Sequence, residues 1–174
     1  DDSPYAVNPA GLVIHTAIHA ARPDIHCIAH THTTEGMAIA CSQEGLRTDN
    51  FYSALLNNRI AYHDFEGITV MDDEKPRLVK SLGNKNILIL RNHGLLVGGR
   101  SIPEAFQTMW GLQRACEVQV ATDATGKPTI PISDEVLAKT EQLLNLQAMG
   151  GPAGGLEFDA LTRVITKIDP SYKE

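Results

Sequence analysis

Three histidines carry the chemistry this sequence can do. His30 and His32 close the run Ile25-His26-Cys27-Ile28-Ala29-His30-Thr31-His32, and His93 follows a second apolar run, Ile87-Leu88-Ile89-Leu90, after Arg91-Asn92. Alternate side chains of a strand share a face, so His30 and His32 point the same way. A neighbouring strand ending near His93 can bring a third imidazole to the same place. Three protein nitrogens with one position left for water or substrate is the donor set of a catalytic rather than a structural zinc site. A bare His-x-His is a weak motif, and the competing reading is histidines that cap backbone groups at strand ends. The matching second strand, with Gly94 behind its histidine, favours the metal. Zinc is the first choice, and manganese, iron, cobalt or nickel also suit three imidazoles.

Other candidates have plainer readings. His15 and His19 are four residues apart on one helix face, but no third ligand is nearby, so they read as packing or surface residues. Glu35 falls in the first turn of a helix capped at Thr34, where a carboxylate meets the positive end of the dipole. Tyr52 is either a core ring or a phenol held for proton transfer. His63, next to Asp64, reads as a surface group or a support for the ligands.

The elements that must position these residues alternate along the chain. Helical spacing runs from Gly11 to Ala21 after Asn8-Pro9 and stops at Arg22-Pro23-Asp24. After the first histidine strand and the Glu35 helix, Asn50 to Asn57 reads as a short helix. Ile60 to Phe65 reads as a strand, which Ile68-Thr69-Val70 could continue. Pro76 to Leu82 is a helix closed by Gly83; the Ile87 strand follows, and Gly94 to Val97 returns as another strand, with Gly98-Gly99 in a turn. Those glycines match neither a dinucleotide fingerprint nor a phosphate-binding loop. Ser101-Ile102-Pro103-Glu104 is a capping box opening a long helix with one apolar stripe from Ala105 to Val120. Residues 122–131 are a linker, Ser133 caps a helix to about Met149, the glycines from Gly150 to Gly155 stop it, and a last helix runs from Leu156 to Ile168.

With 174 residues, 43% of them hydrophobic, the chain supports one domain with a real core, and residues 122–174 form its C-terminal linker and helices. A net charge of -6 without a basic run argues against nucleic acid or an anionic membrane surface as partner, leaving small molecules or other proteins. The three cysteines are odd in number and set in apolar sequence, which fits thiols in the cytoplasm. No stretch is apolar for long enough to span a membrane, and the first residues are unlike a signal peptide.

With the two histidine strands, the Arg22-Pro23-Asp24 turn and the run Arg91-Asn92-His93-Gly94-Leu95-Leu96 in place, the chain resembles the class II aldolase/adducin family from about Val7 to Ala121. The resemblance implies a three-layer α/β/α domain around a mainly antiparallel sheet, tetramers with the site near a subunit interface, and a divalent metal on His30, His32 and His93. Arg91 and Asn92 would orient the strand end, and His26 or Asp64 would support the ligands. In the family's enzymes the metal is a Lewis acid that stabilises the negative charge developed when a carbon–carbon bond breaks.

The sugar-phosphate aldolases also use a glutamate near the first helix, and here that position is Gly11. Asn8-Pro9-Ala10-Gly11 is closer to the adducin-like branch. A replacement acid would be Glu35 or Tyr52, the latter near a family tyrosine that protonates from a neighbouring subunit. Family domains also extend further upstream, so the chain reads as lacking the front of its domain, with the loop that takes a substrate's phosphate. Two functions follow. One is a metal-dependent lyase acting on a small hydroxy-carbonyl or carboxylate compound by retro-aldol cleavage or decarboxylation. The other is a non-catalytic adducin-like scaffold that keeps a metal site.

Overall fold

The four apolar runs form one sheet in the computed structural model, which describes residues 6–68, 72–148 and 153–173. Its strands are β1 (Cys27–Thr31), β2 (Ile60–His63), β3 (Ile87–Leu90) and β4 (Gly94–Gly99), in the order β1-β4-β3-β2. β4 runs antiparallel to both of its neighbours, and β2 runs parallel to β3, so the sheet is mixed and mainly antiparallel. Every residue of β3 and β4 is buried, as expected for central strands covered on both faces.

Two apolar layers cover the sheet. Ile14, Ala17 and Ile18 of α1 (Pro9–Ala21) and Leu78 and Leu82 of α4 (Lys75–Leu82) pack on Leu88, Leu90 and Leu96. On the other face α2 (Thr34–Cys41) and α5 (Ile102–Asp123) set Ile39, Met109, Leu112 and Cys116 on Ile87, Ile89, Leu95 and Val97. Ala105, Met109, Leu112, Ala115 and Cys116 of the expected α5 stripe are thus core, while Phe106 is exposed; Gln119 is also buried, its amide spanning from the carbonyl of Gly45 to the N–H of Arg47. The short α3 (Phe51–Ala54) is capped by Asn50 and sits beside α5.

Local details differ from the sequence expectation in four places. Thr33 rather than Thr34 caps α2, its hydroxyl accepting from the Gly36 N–H. Ser101 accepts from the Glu104 N–H as a cap should, but the Glu104 carboxylate reaches Arg100 N instead of closing a capping box. Gly98 and Gly99 lie in β4 and not in a turn, paired with Ile28 and Cys27 of β1; glycine is needed there because a Cβ would come within 2.7 Å of Ile25 Cδ1 and of Ala105 N. The linker begins later than residue 122, since α5 runs to Asp123. Thr69 and Val70, proposed as a strand continuation, lie outside the described residues.

The C-terminal helices are α6 (Asp134–Ala148) and α7 (Gly155–Ile168), and α7 packs on α5 through Phe158 and Phe106, with ring centroids 5.5 Å apart. No helix among the described residues is long and apolar enough to cross a membrane.

Cys27, Cys41 and Cys116 are free thiols, and burial pushes Cys116 up to about 12. Thiolate is the reactive form. A thiol reagent at pH 8 is therefore expected to modify exposed Cys41 first and Cys116 only after denaturant is added; rapid labelling of Cys116 in the folded protein would contradict this packing of α5.

Candidate metal centre

The strand pattern puts the first two histidines together as expected. His30 lies within β1 opposite Leu96, and His32 follows one residue beyond the strand's end. Their rings meet edge to face with centroids 4.6 Å apart, and the two Nε2 atoms are 2.7 Å apart. His93 arrives through a tight turn from β3 to β4. Leu90 accepts from the His93 N–H, and Asn92 takes a left-handed conformation (φ 56°), which asparagine tolerates better than most residues. The His93 ring centroid lies 4.8 Å from those of both His30 and His32. One nitrogen from each of the three falls within 4.8 Å of the others, and no second cluster of this kind occurs among the described residues.

The surroundings prepare these nitrogens to act as electron-pair donors. A carbonyl oxygen only accepts, so the contact between His30 Nδ1 and Leu95 O at 2.8 Å assigns the proton to Nδ1 and leaves the Nε2 lone pair facing His32. Burial pushes His30 down to about 4; the Leu95 bond acts in the opposite sense, and His93, His32 and His15 add to the fall. His93 is lowered mainly by burial and then by His32, with Glu74 opposing both. Neutral imidazoles whose far nitrogen is held by a backbone carbonyl are the form that metals take. Gly94 makes this approach possible. A Cβ there would overlap the Thr31 carbonyl oxygen and come within 2.9 Å of His32 Cδ2.

The donor set therefore fits a divalent ion. The family model for the class II aldolase and adducin N-terminal domain matches residues 1–120. The chain belongs to this family. Within it, a Pseudomonas aeruginosa protein whose name gives it as a candidate class 2 aldolase is 41% identical, covering 99% of this chain and 68% of its own length. Alpha-adducin of Rattus norvegicus is 39% identical over 93% of this chain, which corresponds to 23% of the adducin. The solved structure of an L-fuculose 1-phosphate aldolase from Glaciozyma antarctica superposes with a TM-score of 0.77 at 32% identity, covering 95% of this chain and 61% of that one.

The family sheet has two faces, and the two proposed proton donors lie on the face away from the histidines. Thr31 faces α5 through Met109, so His30, its neighbour on the strand, faces α1 and α4. Glu35, in the first turn of α2, accepts from Gln113 of α5 at 3.2 Å. Tyr52 packs with the α5 layer, its ring 5.7 Å from that of Trp110. Neither is brought to the cluster within one chain. His26 is exposed at the start of β1. Asp64 and Phe65 line an open cleft of about 460 Å³ with Arg91, Asn92, Ser42 and Gln43, and the Phe65 ring lies 6.4 Å from that of His93.

Arg91 holds the turn, donating to the Ser42 carbonyl at 2.6 Å with its guanidinium over the Tyr62 ring. His15, read from the sequence as a packing or surface residue, is half-buried on α1 and near enough to His30 to act on it electrostatically, while His19 bonds the Ile25 carbonyl. His63 is buried and not a surface group, bonded to Ser81 and Glu74. Glu74 escaped the sequence reading because Asp72-Asp73-Glu74 looks like a solvated acidic run. A usable signal was its place directly before the helix that covers the histidine face.

Proposed function

We propose that this chain is the metal-binding domain of a divalent-metal-dependent lyase acting on a small hydroxy-carbonyl or carboxylate compound, by retro-aldol cleavage or decarboxylation. The observation that carries this reading is the convergence of His30 Nε2 and His32 Nε2 at 2.7 Å, with His93 4.8 Å from both rings, on one rim of the sheet. His30, His32 and His93 would hold the ion, zinc by preference, through their neutral nitrogens. A bound ion supplies Lewis acidity that lowers the cost of negative charge on a substrate oxygen.

The chain's own groups do the rest. Leu95 O fixes the His30 tautomer, and Gly94 lets the ligand strands close. The open cleft beside His93 has the volume of a small-molecule site and offers the polar groups of Asn92, Gln43 and Asp64. Glu35, just beyond the first ligand strand, and Tyr52, near the position of a family tyrosine, are the candidate proton donors. Because both sit on the α5 face, either would serve a neighbouring subunit's site in a tetramer. Free thiols favour the cytoplasm as location.

A second reading, an adducin-like scaffold with a retained metal site, is favoured by Gly11. The residue where the aldolase glutamate is expected has no side chain, and a Cβ there would touch nothing within 4 Å. The deciding experiment measures metal per chain in protein purified without added metal or a histidine tag, then screens hydroxy-carbonyl and carboxylate substrates. Close to one ion per chain with measurable cleavage is the expected result. An ion retained without turnover, and needed for folding, selects the scaffold; the absence of ion, even on titration, removes the lyase reading.

A further inference from the structure

The sheet face that carries the histidine cluster carries a second polar group, more deeply buried. His63 ends β2 opposite Leu90, and His30 stands opposite Leu96. Both leucines belong to the layer under α1 and α4, so His63 and His30 face the same side. His63 is 4% exposed, and Glu74, at the N-cap of α4, is 8% exposed. A carboxylate only accepts, so His63 Nε2–H donates to Glu74 Oε1 at 3.2 Å, and Nδ1 accepts from the Ser81 hydroxyl at 2.9 Å. Ser81 lies in the last turn of α4. One imidazole thus ties both ends of that helix to the end of β2.

The backbone continues the connection, because the Arg91 N–H donates to the His63 carbonyl at the start of the turn that carries His93. Glu74, His63 and His93 also line one small cavity, of about 10 Å³. The neighbouring Glu66 is 3.9 Å from His63 and is engaged by Arg77 at 2.5 Å. Asp64 also lines this cavity but is exposed, so among the described residues lining it Glu74 is the buried carboxylate.

We propose that Glu74, held by His63 whose other ring nitrogen is steadied by Ser81, is a positioning residue for the histidine cluster: its carboxylate faces His93 across the small cavity and strengthens the cluster's hold on a divalent cation. Three neutral imidazoles bring no charge of their own to a dication. A carboxylate withdrawn from water acts on that site with little screening, and outer partners of metal ligands commonly change affinity by about 10–100-fold. This inference rests on the reading of His30, His32 and His93 as metal ligands.

The test titrates Co²⁺ into wild type, Glu74→Gln and Glu74→Asp, following the visible absorption of the bound ion, with circular dichroism and thermal melting on each. Glu74→Gln keeps the shape and the hydrogen-bond acceptor but removes the charge. It is expected to weaken Co²⁺ binding by about 10-fold or more at an unchanged fold, while Glu74→Asp recovers part of the loss. Wild type that binds alongside a Glu74→Gln that binds within twofold overturns this proposal alone. Wild type that takes up no ion overturns the metal reading and this proposal together. Equal loss in both variants, matched by loss of folded protein, assigns Glu74 to structure and also overturns it. If Glu74→Gln does not fold, Ser81→Ala removes only the hydroxyl that steadies His63; a folded Ser81→Ala with wild-type affinity is then the overturning result, and weakened binding supports the proposal.

Discussion

His93→Ala protein, purified without added metal or a histidine tag, is expected to carry almost none of the divalent ion that wild type carries. Titration should show an affinity at least about 100-fold lower, beyond the 10–100-fold typical of losing an outer partner of a ligand. The remaining His30 and His32 offer two nitrogens from one strand end, and two donors do not enclose an ion. The fold should survive. The His93 main chain keeps its bond to Leu90, the left-handed conformation of Asn92 is untouched, and the half-buried ring lies at the sheet's rim and not in its core. A stability change within about 1 kcal/mol is anticipated. A variant that retains the ion would show that the metal, if present, sits elsewhere; one that melts far below wild type would show that the ring is a packing element.

Gly94→Ala is expected to damage both stability and metal binding. The new Cβ would overlap the Thr31 carbonyl oxygen, a backbone atom locked in the β1–β4 ladder, and would press on the His32 and His30 rings at 2.9 and 3.4 Å. Backbone cannot yield as the end of a side chain can, so the strands must separate where the ligands meet. Overpacking of this kind costs about 3 kcal/mol, which for a chain of this size lowers Tm by roughly 6–12 °C. Gly98→Ala is the matched control, because its Cβ meets the buried Ile25 side chain four residues further along β4. That variant should lose stability but keep wild-type affinity for the ion in its folded fraction. Equal metal affinity in Gly94→Ala and wild type would mean that the cluster is not held by the close approach of β1 and β4.

Much of this protein was legible in one dimension because its signals are local. The alternation from Ile25 to His32 places His30 and His32 on one face wherever the strand goes, and Gly83 and the serine caps mark helix ends through backbone groups a few residues away. The central strands were readable as continuous apolar runs, which is how strands buried on both faces must look.

What lay beyond the sequence are facts about two segments meeting. Gly98 and Gly99 carry no local sign of the side chain and helix backbone that press on them, so they read as a turn. Glu35 looked close to the ligands in chain order, but the pleat and the path of α2 send it to the α5 face, where Tyr52 of α3 also packs. His63 and Glu74 are eleven residues apart, and only the return of α4 over the sheet buries them together beside His93. By itself the sequence determined most of the elements and marked the three imidazoles as candidates, since periodicity and capping act within a few residues. Which groups share the site was decided only in the tertiary structure, because the side of a sheet on which a helix comes to rest depends on burying apolar surface over the whole domain.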